Sequence, residues 1–228
     1  MTTVKPTKDE IKQHLADSRS FAPPRPLSYG EAIQVARREA AYFRRWMNAF
    51  DHPDLNLIWL FEQKAVPVEL VPPFQIGEES GYTTDAVNGY LEVFINDSEP
   101  PVRQRFSLLH EWYHVIHFHD GDVLYSRLGG SNHELRRLQV ELVCNEFAAH
   151  VLMPSHLVKR LWFRSQDVHL VAGMFNVSLE AMNTRLQKMG LIGERPSRPE
   201  GYFRRSGNLL LPHDIELSLE PATYSLAG

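Results

Sequence analysis

Cysteine is nearly absent from the sequence, since Cys144 is the only one in 228 residues. One thiol cannot form an internal disulfide, which excludes the disulfide frameworks of small secreted proteins. Long apolar runs are absent too, and nothing approaches the roughly 18 uninterrupted apolar residues of a membrane-spanning helix. The start of the sequence lacks the apolar core of a secretory signal peptide. These absences predict a cytoplasmic protein with no membrane segment.

A strong charge of one sign is also missing. The formal net charge is −4 and the isoelectric point is near 6.3, so no global attraction to nucleic acid or anionic membranes is expected. Hydrophobic residues make up 43% of the chain, which is enough to bury a core. The length suggests one domain with appendages rather than two full domains.

The order of segments predicts an α+β domain between two appendages. Residues 1–27 are polar and proline-rich, which predicts a mobile arm, and residues 193–228 are predicted to be a linker and a tail. Between them, residues 28–192 begin with an amphipathic helix for which Ser28 is the N-cap. Alternating apolar residues, and an Asn88-Gly89 turn between two strand-like runs, then predict a small antiparallel sheet.

A metal-binding pattern follows in a segment of helical length. His110 and His114 are four residues apart, so on a helix both imidazoles share one face and can bind one ion. Glu111 falls beside them, where a carboxylate can take a proton from water that the ion activates and pass it to a leaving amine. His-Glu-x-x-His therefore predicts a catalytic metal site for peptide-bond hydrolysis.

The third ligand has two candidates. Asp120 stands at the ligand position of the longer motif, but the turn glycine of that motif is replaced by His117. Glu141 lies on a separate predicted helix, which runs from Ser131 or Asn132 to Pro154, and it fits a His-His-Glu site. Asn145 is one helical turn further on and can support a ligand histidine by a hydrogen bond. These features favour Glu141 and leave Asp120 as the alternative.

Several other residues have more than one interpretation. Spacing does not select the donor that would stabilise an oxyanion, and the candidates within reach are Tyr113, Tyr125, His133 and His150. Cys144 is expected to be a small buried residue, not a ligand. Two short helices over 166–190 resemble a helix-turn-helix, and residues 159–205 hold nine Lys or Arg against four Asp or Glu, which would suit DNA contact. Their apolar residues are sufficiently explained by a helical hairpin that closes the core, which is the favoured interpretation.

Four segments together resemble the ImmA/IrrE family of metallo-endopeptidases over about residues 30–192. They are YLEVFIND (90–97), RQRFSLLHEWYH (103–114), ELVCNEFAAHVLMP (141–154) and MFNVSLEAMNTRLQKMGLI (174–192). The resemblance implies that His110, His114 and Glu141 bind zinc and that Glu111 is the catalytic acid and base. Many members have Leu-Gly where this chain has Trp112-Tyr113, a difference that bears on the shape of the cleft.

The expected fold is a zincin-like metalloprotease domain, in which the small antiparallel sheet packs on the metal-binding helices and a C-terminal helical hairpin follows. The resemblance further implies cleavage of a helix-turn-helix repressor encoded nearby, which would relieve repression of stress, phage or mobile-element genes. Zinc is the expected ion, with manganese possible. Residues 89–96 are the candidate sheet edge for substrate. The alternative is a non-hydrolytic metal-containing regulator or toxin-antitoxin component that binds a transcription factor or antitoxin, and direct DNA binding is a third hypothesis.

Overall fold

A computed structural model describes residues 6–85 and 91–193. The helices in these ranges are α1 (Lys8–Arg19), α2 (Tyr29–Trp46), α3 (Ile58–Glu62), α4 (Pro73–Ile76), α5 (Pro101–Ile116), α6 (Gly121–Leu124), α7 (His133–Leu152), α8 (Ser155–Ser165), α9 (Val168–Phe175) and α10 (Leu179–Lys188). The strands are β1 (Val68–Val71), β2 (Gly81–Asp85) and β3 (Leu91–Asn96). The predicted α+β class with one small sheet is confirmed. All but the first residue of the predicted tail, 193–228, lies outside the described residues.

The three strands form one mixed sheet in the order β1-β3-β2. β2 pairs antiparallel with β3, as the predicted hairpin requires, but β1 pairs parallel with β3. The prediction of a purely antiparallel sheet is therefore wrong for β1. The chain leaves β1 through α4 and reverses in β2 before β3 returns between them, so β1 and β3 run in the same direction.

The central position of β3 also corrects the predicted sheet edge. Val93 of β3 pairs with Val68 on one side and with Thr83 on the other, so this strand has no free edge. The segment 89–96 was the candidate for the exposed edge, and that prediction is wrong for its strand residues. β1 and β2 are the edges among the strands that the structure describes.

Three long helices hold the core, and their ends are capped by residues that the sequence supplies. The Ser28 side chain accepts from the backbone N–H of Glu31, and the Glu31 side chain accepts in return at the start of α2. Asn132 caps α7 through the backbone N–H of Leu135. α7 packs against both α2 and α5, the helix of the His-Glu motif. The ring of Phe147 on α7 lies between Phe43 of α2 and Tyr113 of α5, with centroid distances of 6.2 and 4.8 Å.

The N-terminal segment is a packed helix where a mobile arm was predicted. Thr7 and Glu10 form a capping box at the start of α1. Ile11 and Leu15, one helical turn apart, are buried, and His14 between them stacks on the ring of Trp46 with a centroid distance of 4.1 Å. The prediction of a mobile arm over 1–27 is therefore wrong for residues 8–19, because a capped turn and three buried side chains fix them.

The last two helices occupy the region of the predicted helical hairpin. Ser178 caps α10, and Gly190, with φ of 64°, follows its C-terminus in the left-handed conformation. The side chains that point inward are buried: Val171, Phe175, Met182 and Leu186. Their burial supports the interpretation that this pair closes the core. Among the described residues, no helix has both the length and the apolar character needed to cross a membrane.

Candidate metal centre

The motif helix α5 begins with Pro101 in its first turn, where a missing N–H costs no hydrogen bond. Most of its second half is buried, including Leu108, Leu109 and Trp112. His110 and His114 are only partly buried and lie on one face of the helix. The helix is therefore held by its apolar sides and leaves the imidazole face accessible.

Three side chains from two helices direct their donor atoms toward one point on this face. The Nε2 atoms of His110 and His114 are 3.3 Å apart. Oε2 of Glu141, on α7, lies 3.0 Å from Nε2 of His110, and Oε1 lies 3.8 Å from Nε2 of His114. A tetrahedral zinc ion that holds its ligands at about 2.0–2.1 Å separates them by roughly 3.3 Å. The three side chains therefore fit one ion without a rearrangement of either helix.

Asn145 orients the first histidine. Its Oδ1 accepts a hydrogen bond from Nδ1 of His110 at 2.9 Å. That bond places the hydrogen on Nδ1 and leaves the lone pair of Nε2 directed toward His114 and Glu141. Asn145 and Glu141 are one turn apart on α7, so the same helix supplies both a carboxylate and the support of a histidine.

Cys144 offers a competing donor, because its Sγ, His110 and His114 also form a group whose ligand atoms lie within 4.8 Å of one another. Its thiol lies 3.9 Å from Nδ1 of His114, on the opposite side of that ring from Nε2. Burial raises the pKa of this thiol well above its usual range, which disfavours the thiolate that binds metals. We therefore favour Glu141, which faces the Nε2 atoms of both histidines.

The protonation of His114 suits metal binding. Burial lowers its pKa to about 4, and the neighbouring His110 lowers it further. The ring is therefore neutral at neutral pH, which is the form that coordinates a metal ion.

Glu111 is buried beside the histidines and is held by the sheet. Oγ1 of Thr83, in the edge strand β2, donates a hydrogen bond of 2.8 Å to its Oε2. Burial raises the pKa of Glu111, and the negative charges of Glu141 and Glu79 act in the same direction. His110 and the bond from Thr83 oppose this rise. A carboxylate with a raised pKa is suited to accept a proton and return it during one reaction cycle.

Asp120 is not part of this arrangement. Its Oδ1 lies 3.1 Å from Nδ1 of His117, and Nε2 of His117 lies 3.1 Å from Oε1 of the buried Glu39 on α2. Burial disfavours the charged ring, but the hydrogen bonds to Asp120 and Glu39 outweigh it and raise the pKa of His117 to about 9. These three residues join α2 to the end of α5 and leave Asp120 away from the donor atoms of His110.

The candidates for an oxyanion donor are mostly engaged elsewhere. Tyr125 donates a hydrogen bond of 3.3 Å to the hydroxyl of Tyr113, and both side chains are buried. Nδ1 of His150 lies 2.9 Å from the backbone oxygen of Glu146. His133 is exposed in the first turn of α7. Neither tyrosine is accessible to a substrate in this arrangement.

Sequence spacing missed Thr83 as a functional residue. It lies in a strand 28 positions before Glu111, and a strand-to-helix contact has no fixed spacing along the chain. The predicted hairpin over this segment indicated a strand, but not which helix it would lie against. The same reason applies to Cys144, whose position beside His114 follows from the packing of α7 on α5.

This chain is similar to known proteins in sequence and in fold. The family model Peptidase_M78, described as the IrrE N-terminal-like domain, matches residues 68–187, just over half of the chain. The radiation response metalloprotease IrrE of Deinococcus radiodurans is 35% identical over 69 residues, 30% of this chain and 21% of that protein. A solved structure described as a Mycobacterium tuberculosis transcriptional regulator has a TM-score of 0.50 at 14% identity and covers 76% of this chain and 51% of its own. At that identity the likeness concerns the fold alone. This chain thus spans about a fifth of the first relative and about half of the second.

Proposed function

Because the chain belongs to the Peptidase_M78 family of IrrE N-terminal-like domains, we propose that it is a zinc-dependent endopeptidase that cleaves a regulatory protein. In this proposal His110, His114 and Glu141 hold the ion, Asn145 orients His110, and Glu111 is the catalytic acid and base. The family membership agrees with the ImmA/IrrE resemblance of the sequence. The fold proposed for this function is zincin-like, with α5 and α7 carrying the site beside a small sheet.

The observation that carries the proposal is the convergence of two imidazole nitrogens and one carboxylate within 3.8 Å, with a second, buried carboxylate next to them. Two histidines and one glutamate are a known donor set of catalytic zinc, which leaves a position open. When bound, the ion supplies Lewis acidity, which polarises a peptide carbonyl and acidifies water. Manganese fits the same donors less characteristically, because imidazole ligands favour zinc.

The residues of the chain do the proton transfer. Glu111 accepts a proton from the attacking water on a carboxylate oxygen and passes it to the nitrogen of the leaving amine. Thr83 holds that carboxylate from the sheet side. The edge of β2 that faces away from β3 is the place for an extended substrate, since it is the strand edge that adjoins Glu111.

The proposed substrate is a helix-turn-helix transcriptional repressor encoded nearby. One relative is named a radiation response metalloprotease. That name supports a role in a stress response. Cleavage of a repressor would relieve repression of stress, phage or mobile-element genes.

The test is cleavage of the purified repressor by the full-length protein with zinc, with zinc plus chelator, and by Glu111→Gln. We expect cut fragments only from the wild-type protein with zinc. The Glu111→Gln variant keeps the size of the side chain and should retain zinc, so it separates catalysis from metal binding. A wild-type protein that binds the repressor without cutting it would overturn the protease proposal. That result would instead support a metal-containing regulator or a toxin-antitoxin component that acts by binding.

A further inference from the structure

Negative charge is concentrated in the segment that forms the sheet. Residues 62–99 contain eight Asp or Glu residues and one Lys, a net charge of −7. The whole chain has a net charge of −4, so everything outside this segment is net positive. The acidic character of the protein therefore belongs to the sheet and the turns beside it, and not to the surface in general.

Four of these acidic side chains are exposed and have no ion-pair partner in the part of the chain that the structure describes. Glu69, Glu78, Glu79 and Asp85 are exposed and form no salt bridge with any residue in 6–85 or 91–193. Glu99, by contrast, is paired with Arg103 at 2.8 Å. The exposed carboxylates thus face solvent and an approaching partner.

The strand register places this charge around β2. Glu79 comes two residues before the first residue of β2, and Asp85 is its last residue. Glu92 lies opposite Thr84 in the neighbouring strand. Carboxylates therefore stand at both ends of the strand edge that adjoins Glu111, and a further one lies across its C-terminal half.

Extended polypeptide, and not a metal ion, fits this arrangement. The five residues of β2 alone span about 13 Å, and Glu79 lies before the strand while Asp85 ends it, so these two acids do not form a metal-sized group. The histidine-cysteine group at the metal centre is the metal-sized cluster found among the described residues, and it contains none of these acids. A strand edge binds extended polypeptide through its backbone, whatever the side chains, and charge then selects among segments.

We propose that the edge of β2 selects substrate segments that carry Lys or Arg on both sides of the scissile region. The inference rests on the proposed protease function and specifies its substrate. Proteins that bind nucleic acid carry such basic segments, because they contact phosphates. Arg137 precedes Glu141 by one turn of α7, so that helix carries a basic residue close to the site in sequence, whereas β2 carries none.

The test uses three fluorescent dodecapeptides with the same uncharged apolar centre and with two Lys, two Ser or two Glu residues at each end. Binding to the zinc-loaded full-length Glu111→Gln protein is measured by anisotropy at low and high salt. We expect the Lys peptide to bind about tenfold more tightly than the Glu peptide at low salt, because a few exposed ion pairs together contribute an energy of that order. The difference should be smaller at high salt, which screens exposed charges.

Two double variants, each in the Glu111→Gln background, locate the effect. Glu79→Lys with Asp85→Lys should abolish or reverse the preference. Asp9→Lys with Asp122→Lys changes the net charge by the same amount at exposed positions on α1 and α6. This control variant should preserve the preference for the Lys peptide. Equal binding of the Lys and Glu peptides, or an equal loss of preference in both double variants, would overturn the inference.

Cleavage of the same peptides by the wild-type protein separates this inference from the proposed function. Selective binding of the Lys peptide without metal-dependent cleavage of any peptide or repressor would remove the protease proposal and support the acidic edge as a binding surface. Metal-dependent cleavage that ignores the charge of the flanks would remove the inference and keep the protease.

Discussion

The hydroxyl of Thr83 connects the sheet to the proposed catalytic carboxylate, through a hydrogen bond of 2.8 Å to Oε2 of Glu111. A carboxylate that is already held in place needs less reorganisation to reach its reactive position. We expect Thr83→Val, which keeps the branched shape and the strand propensity, to lower kcat about tenfold with little change in KM. Steady-state cleavage at matched zinc content measures this effect.

The control for that prediction is Thr83→Ser, which restores the hydroxyl without the methyl group. Recovery of most of kcat by Ser, together with its loss in Val, would show that the hydrogen bond matters and not the packing of the strand. Equal values of kcat for the Val variant and the wild type, at equal zinc content, would show that Glu111 does not need this contact.

Sequence spacing predicted the site residues that share a helix and missed the contacts between separate elements. His110, Glu111 and His114 share one helix, and Glu141 and Asn145 share another, so the helical repeat alone predicted which side chains lie on one face. That the two faces would meet was a prediction from chemistry. Thr83 and Cys144 reach the site through contacts between separate elements, which no spacing encodes.

At the scale of single elements, the sequence of α1 contained a helix signal, but the prolines around it led to the prediction of a mobile arm. The prolines of residues 6–26 suggested an arm, yet Thr7 and Glu10 have the spacing of a capping box, and Ile11 and Leu15 the spacing of one apolar face. The third buried residue, His14, is polar in sequence and is buried only because aromatic rings of α2 enclose it. Hydrophobic periodicity cannot register a histidine that stacks in this way.

His14 makes the docking of α1 sensitive to acid. Its ring stacks on Trp46 and Tyr42, and neither ring nitrogen has a hydrogen-bond partner among the described residues. Burial lowers its pKa from 6.5 to about 4, although the charge of Asp17 acts in the opposite direction. The unfolded chain therefore binds this proton more readily than the folded protein does. The stability linked to His14 is present above pH 6.5 and is lost as the pH falls toward 4.

A comparison with His14→Phe isolates this contribution, since Phe keeps the aromatic stacking and does not titrate. Between pH 7.5 and pH 5, we expect the wild-type protein to lose about 2 kcal/mol more unfolding free energy than the variant. Urea unfolding of both proteins at several pH values gives the difference. A difference that stays constant across this range would mean that His14 is not buried as a neutral ring.

At the scale of the whole molecule, the class of the fold was predictable and the order of its strands was not. The residue patterns predicted strands, and the Asn88-Gly89 turn predicted one antiparallel pair. The insertion of β3 between β1 and β2 could not be predicted from the pattern of each strand, because the parallel pairing of β1 with β3 joins segments that are distant along the chain. This order nevertheless decides which edge lies beside Glu111, and so where a substrate strand can bind.

The proposed metal site connects two of the helices that make the core, because α5 supplies His110 and His114 and α7 supplies Glu141. The same helices already pack against each other through the buried rings of Tyr113 and Phe147, whose centroids are 4.8 Å apart. The fold therefore does not depend on the ion as a zinc finger does. An ion that binds only the folded chain still stabilises it by mass action.

We expect removal of zinc by a chelator to lower Tm by roughly 5–10 °C, while unfolding stays cooperative, because an ion at about 100 times its Kd contributes about 3 kcal/mol in a chain of this size. Scanning calorimetry with and without chelator measures the shift. Glu141→Ala should have the Tm of the chelator-treated wild type whether or not chelator is present. Cys144→Ala should keep the full shift on chelation, because the thiol of Cys144 faces Nδ1 of His114 and not the shared Nε2 atoms. The reverse pattern, with the shift lost in Cys144→Ala and kept in Glu141→Ala, would show that the thiol is the third ligand.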